Sequence, residues 1–347
     1  MTKAARLRLP VGRMAANAIG AVAFVAAIGF NSDAGAVELK YGTFLPAVNP
    51  VAKIMQQGGK ELALMTEGRV TIKVYTSGAL AKSTDQLDAV QKGVMDIGSY
   101  IWTYSSFKQR PFFMVGSLPF LYRDAAGYLR AWNADPTLLK MANVHLQKYG
   151  YDNVILMEAG YAGFSRIGLR NKKARVPADL KRLKIRGTGT YINVIRSYGA
   201  AGVTIDNAQV YGSLERGLID GTLGLDVNWV FFKWSEPVTY MVNYNLAPVG
   251  ETMAVNKAAF NKLSKRDQAL FRIFIKKQVV QITNLYLQLG VSTDSMLRKK
   301  KIEVYTPTDA EKKLWAAPSG QIVNQWLNVV GKKDGEKALA IIRKYNR

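Results

Sequence analysis

The sequence predicts a two-lobed α/β protein in which each lobe is a mixed sheet flanked by helices and one long helix spans both. Three observations carry this expectation. A strand, a helix and a second strand follow Val37 in quick succession; an eight-residue junction pattern occurs twice; and a helical pattern of more than thirty residues begins at Ser264. The lobes are expected at 37–162 with 250–300 and at 163–249 with 301–347, and residues 1–36 are expected to be an export leader.

The run from Leu39 to Phe44 reads as a short strand, and Asn49-Pro50 reads as a helix N-cap with proline at the first helical position. That helix should end near Thr66. Val70, Ile72 and Val74 then recur with period two, which places them on one face of a strand. So short a return makes the two strands parallel. The duplicated junction pairs Ala89-Val-Gln-Lys-Gly-Val-Met-Asp96 with Ser213-Leu-Glu-Arg-Gly-Leu-Ile-Asp220. In both, a helix closes on a basic residue, glycine takes the left-handed position after it, two apolar residues begin a strand, and an aspartate sits near its start. Further strands are expected at 153–159, 183–186 and 250–256, with helices at 191–198 and 206–216. The helix from Ser264, with Asp267 as its cap partner, continues to about Lys300 and either kinks at Gly290 or crosses both lobes. A strand at 302–305, a helix capped by Thr308 and Glu311, and a last helix from Asp334 complete the chain.

Lys3, Arg6, Arg8 and Arg13 precede an apolar run from Ala15 to Phe30, and Ala34-Gly35-Ala36 supplies the small residues of a cleavage site, so the mature chain is expected to start at Val37 in the periplasm. The run is short and alanine-rich for a stable membrane span. Cysteine is absent. That excludes disulfides, thiol catalysis, thiolate metal sites and a lipid-anchored lipoprotein, and it leaves stability to the packed core. The 48% apolar content is that of a folded globule.

The formal charge is +23, and setting aside the four basic residues and Asp33 of the leader lowers it to +20. From Phe260 to Arg347, 18 basic residues face 7 acidic ones. Such a field speeds encounter with anionic solutes and favours weak contact with an anionic membrane surface. The basic residues are scattered or in short runs such as Arg298–Lys301, with no nucleic-acid module, so no nucleic acid is expected as partner.

Several chemistries fail on inspection. His145 is the only histidine, which nearly excludes histidine acid–base work and multi-histidine metal sites. Ser105 and Lys108 have a spacing used by some acyl enzymes, but the companion motifs are missing. Gly187-Thr-Gly189 follows a strand and opens a helix, yet Ile192 replaces the third glycine of a dinucleotide fingerprint. No enzyme activity, cofactor or metal is expected.

What remains is arginine. Arg166 and Arg186 stand twenty positions apart, the second closing an apolar strand at Leu183-Lys-Ile-Arg186. A guanidinium stays charged at any workable pH and presents a planar fork to a carboxylate. Asp226, Asn228 and Trp229 fall beyond a strand, at the carboxyl-end edge where open α/β sheets bind ligands. Tyr161, Phe164 and Asn49 complete the candidate ligand contacts, and the aromatic ones favour an acid with an apolar or aromatic part.

Arg69-Val-Thr-Ile-Lys-Val-Tyr-Thr-Ser-Gly78, Leu118-Pro-Phe-Leu121, Pro177-Ala-Asp-Leu-Lys-Arg-Leu-Lys-Ile-Arg186 and Val210-Tyr211 with Asp220-Gly221 occur in that order. Together they resemble the solute-binding subunits of tripartite ATP-independent periplasmic (TRAP) transporters, the DctP family. The resemblance implies a periplasmic-binding-protein-like clamshell, expected here as a monomer, that closes on one small organic acid and delivers it to membrane permease subunits. It implies that Arg186 pairs with the ligand carboxylate and that Arg166 is the family's second arginine. Where the family often has polar contacts two or three residues after the Asp-Gly step, this chain has Leu223 and Gly224. That departure argues against a cation-assisted site and passes the polar contact to Asp226 or Asn228. A binding protein serving an ATP-driven importer, or an enzyme using the same cleft, is the alternative reading.

Overall fold

The computed structural model describes residues 36–345, so the predicted leader, but for Ala36, lies outside the described residues. Strand β1 (Val37–Gly42), helix α1 (Pro50–Met65) and strand β2 (Val70–Tyr75) form the opening unit, with β1 and β2 parallel and Val37 opposite Val70. Asn49 starts α1 as expected, its Oδ1 accepting from Val51 N at 2.9 Å with Pro50 at the first position. Helix α2 (Gln86–Gln91) turns through Gly93 at φ 70° into β3 (Ile97–Ile101). Short 3₁₀ turns at Trp102–Tyr104 and Pro111–Ser117 lead to α3 (Ala125–Asn133) and α4 (Thr137–Lys148), then to β4 (Val154–Leu169).

A second strand–helix–strand unit follows: β5 (Lys184–Arg186), α5 (Thr190–Ser197) and β6 (Ala201–Val203), again parallel. Helix α6 (Asn207–Glu215), β7 (Gly221–Gly224), α7 (Asp226–Phe231) and β8 (Tyr240–Asn256) come next. The chain ends with α8 (Lys257–Asn261), α9 (Lys265–Lys299), β9 (Glu303–Tyr305), α10 (Asp309–Ala316), α11 (Ser319–Val330) and α12 (Lys332–Tyr345). No described helix is long and apolar enough to cross a membrane.

The strand order is β2-β1-β3-β8-β4-β7-β5-β6, with β9 added to β8. It reads almost as a palindrome, because each lobe contributes one parallel three-stranded unit and shares the antiparallel pair β4 and β8. The duplicated octapeptide explains why. Asp96 Oδ2 accepts from Lys40 N at 2.8 Å, and Asp220 Oδ2 accepts from Lys184 N at 2.8 Å. Each aspartate N–H also donates back to the same lysine's carbonyl. Gly93 at φ 70° and Gly217 at φ 69° make the turns that deliver these residues. One local device therefore fastens β3 to β1 and β7 to β5.

Strands β4 and β8 are far longer than the segments expected at 153–159 and 250–256. They pair from Val154 opposite Asn256 to Leu169 opposite Tyr240, with register shifts at Met157/Ala159, Tyr161/Gly163 and Ser165/Ile167. Glycines and Pro248 interrupt the alternation that identifies a strand from sequence, and the bulges absorb them. Helix α9 runs unbroken through Gly290 for 35 residues, roughly 50 Å. Its first half buries Phe271, Ile275 and Ile282 in the main core, while Leu297 near its end joins Trp229, Trp234 and Val304 in a second core. It thus packs against both lobes.

The helices of the tail pack against separate parts of the chain. Helix α10 stays with the second lobe, where Trp315 Nε1 donates to Arg175 O at 2.9 Å. Helices α11 and α12 return to the first: Trp326 Nε1 donates to Pro111 O at 2.9 Å, and Asp334 lies 3.0 Å from His145. His145 is buried by stacking on Phe112 at 4.2 Å, so it is a packing residue.

Candidate functional site

Arg186 ends β5 at the carboxyl edge of the second lobe's parallel strands. Its Nε donates to Ile205 O at 3.1 Å and its Nη2 to Asn207 Oδ1 at 2.5 Å, both acceptors lying at the entrance to α6. The guanidinium centre is 5.1 Å from the Trp234 ring centroid, a cation–π contact. Gly224 makes room for this arrangement, since a Cβ there would lie 2.9 Å from Trp229 and 3.1 Å from Trp234. The Leu223-Gly224 step is therefore a packing device for the ring that covers Arg186.

Burial lowers the Arg186 pKa, and the groups that oppose the shift are Tyr104, Asp206 and Tyr191. None of the described carboxylates forms an ion pair with it; Asp206 acts only through space. A buried cation held by neutral acceptors alone is costly, and an anion placed beside it would offset that cost.

Arg186 lines a cavity of about 40 Å³ between the lobes. Phe44, Ile101, Thr103 and Tyr104 contribute from the first lobe, and Thr188, Tyr191, Asn207 and Asn228 from the second. The remaining wall includes Leu223, Leu225, Val227 and Val249, with Tyr286 from α9. Past Tyr104 and Thr188 an outer cavity of about 520 Å³ opens, lined in part by Asp85, Asp88, Lys108, Arg110 and Arg196.

Of the residues singled out from sequence, Arg186 and Asn228 line the inner cavity. Asn228 Oδ1 accepts from Leu225 N at 2.9 Å and so closes the first turn of α7. Tyr161 and Phe164 are buried against each other at 5.8 Å, with Tyr128 5.7 Å from Tyr161, and Trp229 is fully buried in the second core. Asn49 spends its Oδ1 on capping α1, while its Nδ2 is buried without a partner among the described residues.

Arg166 is buried on β4, where its Nη2 donates to Asp226 and its Nη1 to Asp294 and, at 3.1 Å, to Asn243 Oδ1. Burial alone would lower its pKa, but Asp226 and Asp294 outweigh that effect and raise it. The two arginines therefore shift in opposite directions. Arg166 and Asp226 satisfy each other, and neither lines the cavity.

Sequence reasoning missed Tyr104, Tyr191, Asn207, Trp234 and Tyr286. Asn207 had a readable signal, because it follows the Asp206 cap of α6; the aromatic residues had none, being indistinguishable from core. Among the described residues no group of three or more His, Cys, Asp or Glu could hold a metal ion.

Residues 41–328 match the family described as bacterial extracellular solute-binding protein, family 7 (DctP). The chain belongs to this family, the solute-binding subunits of TRAP transporters. A monocarboxylate 2-oxoacid-binding periplasmic protein of Nostoc is 29% identical over 65% of this chain and 62% of its own length. A solute-binding protein of Chromohalobacter salexigens is 25% identical over 65% and 66%. The chain thus spans just under two thirds of the length of these relatives. Among solved structures, the Bordetella pertussis receptor DctP7, which binds pyroglutamic acid, superposes with a TM-score of 0.81 at 21% identity, covering 89% of this chain and 100% of that one. The two-lobed family architecture is the one described above.

Proposed function

We propose that this protein is a periplasmic receptor that captures a small organic acid between its lobes and hands it to a TRAP-type membrane permease. Residues 1–36 act as the export signal, cleaved after Ala36, and the mature receptor works as a monomer without enzymatic activity. The lobes divide near 162/163 and 249/250, where β4 and β8 shift register. The observation that carries the reading is Arg186: a buried guanidinium at an interlobe cavity, stacked on Trp234 and held by neutral acceptors with no carboxylate of its own. An acid's carboxylate supplies the missing counter-charge, with Asn207, Asn228 and Tyr191 placed to hold its polar groups and Tyr104 to cover it. Arg166 contributes by ordering Asp226, and through it the α7 wall. The ligands after which these relatives are described, a 2-oxoacid and pyroglutamic acid, are both carboxylates.

A desolvated charged hydrogen bond contributes about 1.5 to 3 kcal/mol net, and removing one partner costs about 2 to 5 kcal/mol. Arg186→Ala is therefore expected to weaken acid binding by tens to thousands of times, read by calorimetry on an acid first identified by thermal shift. Arg186→Lys restores little, because an ammonium lacks the fork. Undiminished affinity in both variants would remove Arg186 from the anchor role.

A further inference from the structure

We infer that the site is built for a short acid carrying a single negative charge, and that the Asp226–Arg166–Asp294 cluster enforces this by withdrawing the second arginine from the cleft. The inference rests on the receptor reading above and adds the charge state of the ligand to it.

Of the residues that line the inner cavity, Arg186 alone is charged. The second buried arginine of the lobe, Arg166, has its fork divided between carboxylates on two helices, Asp226 opening α7 and Asp294 on α9. Asn243 locks the arrangement, accepting from Arg166 Nη1 at 3.1 Å and donating to Asp294 Oδ2 at 3.0 Å. One cation thus faces two carboxylates, and the cluster is formally negative. It sits directly behind the cavity wall: Leu225 and Val227, on either side of Asp226, line the cavity, while Asp226 itself turns away to Arg166.

A ligand's first carboxylate meets Arg186. A second carboxylate on a four- or five-carbon acid would remain inside the inner cavity, against Leu223, Leu225, Val227 and Val249, with a formally negative cluster beyond them. It would find no counter-ion there. Desolvating an unpaired carboxylate is among the strongest penalties a binding site can impose, and placing such an environment against the wrong ligand is how specificity is produced by repulsion. Lys108, Arg110 and Arg196 line the outer cavity, past Tyr104 and Thr188 and among Asp85 and Asp88, and none of them lines the inner one.

The test is a panel of four- and five-carbon acids, unsubstituted, 2-hydroxy and 2-oxo, each as a monocarboxylate and as the dicarboxylate of equal length. Thermal shift identifies the pairs that bind and calorimetry measures them. In every bound pair the wild-type receptor should favour the monocarboxylate by about ten-fold or more. In Asp226→Asn/Asp294→Asn, which frees the Arg166 fork, that ratio should fall by about ten-fold or reverse. Should the double variant fail to fold, the half-buried Asp294→Asn alone should move the ratio in the same direction. Wild-type binding of dicarboxylates as tight as of their partners, or a ratio unmoved in the folded variants, overturns the charge filter and leaves the receptor reading standing. Absence of binding by every member of the panel overturns the short-acid inference, and the receptor reading is then overturned only if cyclic, sugar and aromatic carboxylates also fail to shift the melting point.

Discussion

Two arginines, each about 4% exposed, stand in opposite electrostatic environments because one has carboxylates and the other does not. Accessibility does not separate them; the counter-ions do. Glu251 is the corresponding acid: buried at the pairing of β8 with β3 and β4, it is pushed up to about 7 by desolvation, with Ser99 opposing the shift. Tyr41, Tyr128 and Tyr286 feel its charge. The folded-state pKa is raised above the ordinary value of 4.5. Its contribution to stability is therefore fully present below about pH 4.5 and is lost as pH rises toward 7. Glu251→Gln should accordingly stabilise the receptor by up to about 3 kcal/mol above pH 7 and add little near pH 4. Melting curves across that window check this, and equal gains at both ends would contradict it.

Helix α9 meets α1 where Gly58 faces Gln278; a Cβ on Gly58 would strike the Gln278 amide. Both polar atoms of that amide are buried without a partner among the described residues. An unmet buried amide costs about 1 to 3 kcal/mol. Gln278→Leu, which keeps the volume and removes the polarity, should raise the denaturation midpoint by an equivalent of about 1 to 2 kcal/mol. A loss of stability would mean that the amide is satisfied after all. The bulged strands β4 and β8 are the other decisive elements, since they carry Arg166 and Glu251 and pass between the lobes as one pair.

Across the molecule, the lobes meet on a seam of small polar contacts. Ser83 N and Oγ donate to Asp206 Oδ2 at 3.3 and 2.8 Å, and Ser117 Oγ bonds Thr190 Oγ1 at 3.1 Å. Asp206 lies between Ile205 and Asn207, the two acceptors of Arg186, so the seam and the Arg186 contacts share one tripeptide. Gly189, at φ 37°, lets the start of α5 approach the Thr103 and Ser105 carbonyls; any side chain there would collide with both. Gly189→Ala should hold the lobes apart, weakening acid binding by about ten-fold or more, or ~1.4 kcal/mol. Small-angle scattering should show the wild type contracting with a saturating acid and the variant contracting less. Identical contraction and affinity would show that the seam does not limit closure.

Local physics was legible in the sequence. Caps at Asn49, Ser264 and Thr308, the period-two strand at Val70, the duplicated Gly93 and Gly217 junctions and the length of α9, though not its unbroken course through Gly290, all follow from forces acting within a few residues, so composition and spacing reveal them. The ends of β4 and β8 were not legible, because bulges and cross-strand partners sustain strands that glycine and proline would otherwise end. The tail's return to the first lobe was hidden too, since nothing in the spacing of Trp326 or Asp334 names Pro111 or His145. The same limit applies to the site. Arg166 and Arg186 look alike as letters, and only the folding of α7 and α9 onto β4 brings Asp226 and Asp294, 60 and 128 positions away, to one of them and leaves the other with neutral partners. Charge compensation acts through space, and in this chain space is organised by contacts between residues far apart in sequence.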